Sequence, residues 1–420
     1  MKKVKAKKTA SSGDELIPAK GDPDVGTRVF EIFAEIINDK IDLGLHDKWN
    51  RNNELFQNNH WRNKGGSSVP LVSANLLFVH LQRTANTLTD NNPVFNVARI
   101  GEDIQGDRTL QERYEDLQHA ADHWWIDQEQ QDNFDTTVRS GEQNGIGVEK
   151  VIFNPDLADG LGEVETVNVD PFHFGWYPVK LKDVKDLQKS EAVLHFYPLS
   201  VREAKRKWPD KADQIKSDDD INKDLGDERR EMAGQDSKQA KGLMLSISSV
   251  VKELLNYTTG AIGHGDEVLV IECWCHDYSK SKKITESSDG LTEEREPVYP
   301  GHIRLITVCN NGKVVLEDRK NPAINWPLIE SGEFPLAEAR KTYLFDRFPF
   351  SAANSIKDIS NAWGCSDIQQ LEGLNVELDK AISQMVLYKD RAARLKPINP
   401  LNSGVDNDDF DNFPGVLRPI

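Results

Sequence analysis

One segment constrains the fold more than any other. Residues 364–400, GCSDIQQLEGLNVELDKAISQMVLYKDRAARLKPINP, contain no proline before Pro397 and read as one long helix. A helix of about 30 residues spans about 45 Å. At 100° per residue, Ile368, Leu371, Leu374, Leu378, Ile382, Met385 and Val386 fall within an arc of about 120°. Leu371, Leu378 and Met385 form one heptad-like column; Ile368, Asn375, Ile382 and Lys389 form the other. The stripe is narrow, and Asn375 interrupts it. So thin a stripe suits sideways packing against one or two neighbours, not burial inside a domain. Glu372, Asp379 and Asp390 fall together beyond one edge of the arc, with Lys380, Arg391 and Arg394 on another side. Two arrangements meet these demands: a two-helix coiled coil, or a wall helix in a ring of identical subunits.

The rest of the chain reads as α+β. Residues 1–23 form a basic tail with no apolar stretch behind it, unlike a secretory signal. Val25, Val29, Ile32, Phe33, Ile36, Ile37 and Ile41 recur at helical spacing across residues 24–61, with Asp24 as N-cap. A second helix follows Pro70 and closes at Asn91-Asn92-Pro93. A third covers residues 110–141. EVETVNVDPFHFGWYP and EVLVIECWCHDY read as strands, and VREAKRKWPDKAD as a short basic helix. HIRLITVCNNGKVVLEDR reads as a hairpin with a two-residue Asn311-Gly312 turn. The polar stretches 216–241 and 279–300 read as solvated loops.

Tests for chemistry return little. There is no GxxxxGK[ST] phosphate loop and no GxSxG elbow. GEQNGIG, residues 141–147, follows a helix and leads into a strand, the reverse of a dinucleotide-binding turn, so its glycines read as a helix terminator. Cys273 and Cys275 have C-x-C spacing inside a strand. Both thiols then share one face and suit a core; a zinc nuclease using Cys273, Cys275, His276 and Cys309 is the sharper alternative. His119 and His123 stand four apart on a helix without further ligands, and the aspartates at 218–220 and at 406, 408 and 409 read as solvated loop. Trp49 and Trp61 read as core or interface anchors. With a net charge of −17, the chain cannot grip DNA by broad phosphate neutralisation, but like charge would let it stand beside DNA without sticking. No window approaches eighteen apolar residues, so no membrane span is expected. Without a secretory signal, four reduced cysteines are expected.

From Trp49 to Ile420 the order of features resembles the portal proteins of tailed bacteriophages. Trp49 and Trp61 followed by PLVSANLLFVHLQRTANTLTDNNPVF look like the family's N-terminal helical region. EQNGIGVEKVIFNP followed by VETVNVDPFHFGWYP looks like its glycine-turn strand and following segment, with Tyr177-Pro178 where Asp-Pro is common. VREAKRKWPDKAD resembles the next short helix; FPFSAAN with GCSDIQQLEGLNVELDKAISQ, and DNFPGVLRPI, resemble later stretches.

The resemblance implies a portal-type fold. Residues 24–355 would be a mixed helical and β wing, 356–395 a stem helix, and 396–420 the start of a small α/β clip. The second stem helix and crown have no counterpart, which implies an N-terminal portion. It also implies a ring of about twelve subunits at a capsid vertex, conducting double-stranded DNA and performing no catalysis. No cofactor, metal or membrane is implied. Partners would be the terminase large subunit, the major capsid and scaffolding proteins, and neck or tail adaptors. The location would be the virion, with assembly in the host cytoplasm. On this pattern Ile368, Leu371, Leu378, Ile382 and Met385 make the stem interface, and Glu372, Asp379 and Asp390 line the DNA channel. Val405, Phe410, Phe413, Pro414, Val416 and Leu417 dock terminase. The remaining alternative is a coiled-coil scaffold or adaptor built on the long helix.

Overall fold

The computed structural model describes residues 16–62, 70–91, 93–95, 108–154, 157, 162–218, 266–287, 290–322, 324, 326–332 and 346–393. It is an α+β chain. Helices α1 (Asp24–Asp42) and α2 (Leu45–Phe56) precede α3 (Leu76–Thr89), α4 (Arg108–Asp127) and α5 (Gln130–Asn144). Strands β1 (Ile146–Asn154), β2 (Glu163–Val169), β3 (Phe174–Tyr177) and β4 (Ala192–Ser200) follow. Next come α6 (Val201–Lys207), β5 (Glu267–His276), β6 (Lys280–Ser287), β7 (Gly290–Pro297), β8 (Ile303–Cys309), β9 (Val314–Lys320), β10 (Phe350–Asn354) and the long helix α7 (Asp367–Ala393). Among the described residues, no helix is long and apolar enough to cross a membrane.

Two antiparallel sheets stack face to face: a five-stranded sheet ordered β3-β4-β5-β8-β9 and a three-stranded sheet ordered β10-β1-β2. Alternation along the strands sorts the faces. Leu194, Cys273 and Ile306 are cross-strand partners, as are Phe196, Ile271 and Val308. This face meets the apolar side of α1, where Phe33 sets its ring edge-on to Phe196 at 4.9 Å. The opposite face, with His195, Glu272 and Trp274, meets the small sheet. There Lys150 of β1 pairs with Glu272, and Tyr197 donates to the same carboxylate at 2.8 Å. Burial, the largest single influence, would raise the Glu272 carboxyl; Lys150, His195 and the Tyr197 hydroxyl together outweigh it and hold the group at about 2. The far side of the small sheet is covered by α5, where Asn133 donates to Thr166 O at 3.2 Å. The layers therefore run helix, sheet, sheet, helix.

One buried cation fastens α1 to the turn after β2. Lys40 is fully buried and donates to the carbonyls of Pro171 and Phe172 at 2.8 and 3.1 Å. Its ammonium also lies 4.8 Å from the Trp363 ring centre. Burial pulls it down to about 7, against the opposing pull of Asp170. Trp363 in turn stacks on Trp176 at 4.1 Å and meets Trp49 at 5.5 Å. Trp49 is thus the core anchor its type suggests.

Several sequence expectations are corrected. The first helix is two, broken where Gly44 adopts φ 64°. Asp24 is the first residue inside α1, and Pro23 holds the cap position. The third helix is also two, broken at Glu129 with φ 49°. EVETVNVDPFHFGWYP splits at Asp170, which caps a 3-10 turn, and its halves enter different sheets. The β8–β9 connection holds four residues, since Cys309 pairs with Val314 and Asn310, Asn311 and Gly312 all have positive φ. Residues 280–297, expected as loop, pair as the β6–β7 hairpin. Most of the polar stretch 216–241 lies outside the described residues.

Candidate functional site

The site with most to explain is α7, 27 residues and about 40 Å long. Its start is locked into the body. Ser366 is buried; its hydroxyl accepts from the Ile368 N–H at 3.0 Å and donates to Glu142 O at 2.9 Å. A Cβ on Gly145, whose φ is 94°, would stand 3.0 Å from the Cys365 carbonyl carbon, so the end of α5 and the start of α7 touch backbone to backbone. Only glycine permits both the conformation and the approach. The glycine loop ends a helix, as its position in the sequence implies.

The helix then presents two different stripes. The first faces its own chain. Ile368 is wholly buried with Leu55, Leu77 and Leu81, and Leu371 packs against them. Beyond that point the stripe turns polar at four-residue steps: Asn375, Asp379 and Ser383 are all buried. Asp379 is 0 % exposed. Its Oδ2 meets His60 Nδ1 at 2.5 Å and accepts from Asn375 Nδ2 at 3.2 Å, while Oδ1 accepts from the Ala74 N–H at 2.7 Å. His60 Nε2 lies 3.2 Å from Leu55 O. Ser383 Oγ accepts from the Val72 N–H at 3.0 Å. At the edge of this stripe Arg51 Nε donates to Glu372 Oε1 at 2.7 Å. A chain of hydrogen bonds thus pins the helix to α2 and to the residues before α3.

The second stripe is apolar and open. Leu374, Met385 and Tyr388 are 74 %, 63 % and 75 % exposed, with Ala381 exposed and Leu378 half-buried between them. Positions 374, 378, 381, 385 and 388 step by four and three alternately, the rhythm of a coiled-coil seam. The seam lies roughly 120° round the helix from the buried stripe. The remaining face is polar, with Glu377 and Lys380 paired at 2.5 Å. From Tyr388 to Ala392 every residue is exposed, so the helix leaves the body.

These placements revise the sequence assignments. Ile368 and Leu371 serve the chain's own core rather than a subunit interface; Leu378 and Ile382 are half-buried, and Met385 is open. Asp379 cannot line a channel, because it is buried and spent on His60, Asn375 and Ala74. Glu372 faces Arg51, and Asp390 alone of the three acids is exposed. The three acids therefore form no common wall. By phase, Asn375 is a defect in an apolar stripe. Its repetition at Asp379 and Ser383, each four residues on, was the available signal of a buried polar seam. His60 carried no signal of its own.

The zinc arrangement is overturned. Cys273 and Cys275 are buried on the α1 face, whereas Cys309 follows Val308 onto the opposite face and packs with Val268 and Val270. Burial pushes Cys309 up to about 12, away from a ligating thiolate. Among the described residues no group of three His, Cys, Asp or Glu side chains could hold a metal. His119 and His123 are exposed on α4. Val405, Phe410, Phe413, Pro414, Val416 and Leu417 lie outside the described residues. No family model matches the chain, and no curated protein matches it.

Proposed function

We propose that this chain is a portal subunit of a tailed bacteriophage: a structural protein that forms a ring at one capsid vertex and lets double-stranded DNA pass. The observation that carries this reading is α7. It is pinned to the body along one stripe, leaves the body at its C-terminal end, and keeps a second, apolar stripe open. A helix fixed at one angle with an uncovered seam suits repeated lateral contact between copies. The order of sequence segments that resemble portal proteins supports the same reading.

In this reading the ring, of about twelve copies, conducts DNA without gripping it, in keeping with the net charge of −17. The stretch 396–420 docks the terminase large subunit, whose ATP hydrolysis drives packaging. Capsid and scaffolding proteins, and later neck or tail adaptors, meet the outer body. The protein itself performs no catalysis and acts in the virion.

The four-three rhythm of the open seam also favours a second reading, a coiled-coil scaffold or adaptor. Negative-stain microscopy of the purified chain separates the two. Portal assembly requires rings with a central hole. Rod-shaped pairs joined along α7 would establish the coiled coil and reject the ring.

A further inference from the structure

The joint between α5 and α7 contains a carboxyl group with nothing to hold it. Glu142 is 3 % exposed, and neither of its side-chain oxygens has a hydrogen-bond partner. Most buried carboxylates are paired, because an unpaired buried charge is costly. Glu142 also occupies a structurally demanding place. Its own carbonyl receives the Ser366 hydroxyl that caps α7, and it precedes Gly145, which touches Cys365.

The neighbouring charges do not relieve it. Asp367, in the first turn of α7, adds like charge. It is engaged with Ser355 Oγ at 3.2 Å and faces His80 Nε2 of α3 at 3.5 Å. Arg139, one turn back on α5, is the available cation, but its fork is committed to Asp135, to Gln82 Oε1 at 2.8 Å and to Asn86 Oδ1 at 2.9 Å. Asp135 itself adds like charge. From α2 come the uncharged Trp49, Asn52 and Asn53, which bond to residues 143 and 144, while Arg51 of α2 is turned to Glu372. From β10 comes the uncharged Asn354.

We propose that Glu142 makes the α5–α7 joint pH-sensitive: closed when its carboxyl is protonated, loosened when it ionises against Asp367. Burial, then Asp367 and Asp135, push the carboxyl up to about 7, with Arg139 offsetting part of the effect. The sign follows from linkage. The closed joint binds a proton that the opened joint releases between about 4.5 and 7, so closure is fully favoured below that window and weakens as pH rises through it. With those two values, the open population rises about tenfold from pH 6 to pH 8. The device acts within a single chain and does not depend on ring formation. It would let the angle of the long helix respond to conditions near neutrality.

The test is hydrogen exchange at pH 6 and pH 8, corrected for intrinsic chemistry, in peptides spanning 141–147 and 363–375. Wild type should open about tenfold more at pH 8, and Glu142→Gln should change less than twofold. Equal responses in the two proteins would overturn the proposal. A second readout uses wild type and Asp367→Asn. The infrared band of a protonated carboxyl should persist above pH 6 in wild type and titrate at lower pH in Asp367→Asn. A wild-type midpoint below pH 5, or no movement on removing Asp367, would also reject the switch.

Discussion

Replacing Asp379 by alanine would remove the acceptor shared by three groups in a buried site, His60 Nδ1, Asn375 Nδ2 and the Ala74 N–H, leaving the first two only each other at 3.1 Å and the third nothing. Removing one partner of a buried pair costs about 3–5 kcal/mol, and an orphaned buried N–H about 1–3 kcal/mol. The losses overlap, because the same cavity relaxes or admits water for all three. A total of about 4 kcal/mol is expected, equivalent to about a thousandfold in an equilibrium constant. The effect should be local, since the network ties α7 to α2 and to residues 72–75 rather than to the sheets. Native-state hydrogen exchange reads this directly. Amides of residues 375–384 should exchange about a thousandfold faster in the variant, while those of β4, β5 and β8 stay protected. Asp379→Asn should cost less, because it still offers an acceptor to Ala74. An Asp379→Ala variant with exchange within fivefold of wild type would refute the claim that this network holds the helix.

Other predictions separate the two stripes and test the buried lysine. Ile368→Ala should destabilise the docked helix by about 2–5 kcal/mol through loss of packing with Leu55, Leu77 and Leu81, measured by the same exchange experiment. Leu374→Ser, on the open stripe, should change that stability by less than about 0.5 kcal/mol. Lys40 has its proton weakened from 10.5 to about 7 by burial, so the unfolded chain binds more protons in that window and stability rises with pH there. Between pH 7 and pH 9 the gain is about 2 kcal/mol, and Lys40→Met should lack it in urea titrations at the two pH values.

Much of the fold was legible because its period was plain. The apolar residues of α1 recur at helical spacing and do cover a sheet, and the alternation in β5 did put Cys273 and Cys275 on one buried face. Breaks were harder, because they depend on single backbone choices: Gly44 and Glu129 each turn to positive φ and split a periodic run. The β6–β7 hairpin was illegible for another reason. Its strands carry mostly charged and polar residues, so no hydrophobic alternation marks them. On the long helix, phase alone gives one undivided apolar stripe. It could not tell that Ile368 belongs to the chain's own core while Leu374 and Tyr388 stand open, because that division is set by α2 and α3, distant in sequence. The acids follow the same rule: by phase Asp379 reads as surface, but the fold brings His60 and Ala74 beside it.

The central claim is that the open seam of α7 joins copies of this chain into a ring. The most direct test is the mass distribution of purified wild type beside Leu374→Ser/Met385→Ser/Tyr388→Ser. These three side chains are 63–75 % exposed, and covering them is worth about 4 kcal/mol per contact. Wild type should form a large closed assembly, and the variant a folded monomer with unchanged protection of residues 375–384. Identical masses for the two proteins would contradict the claim.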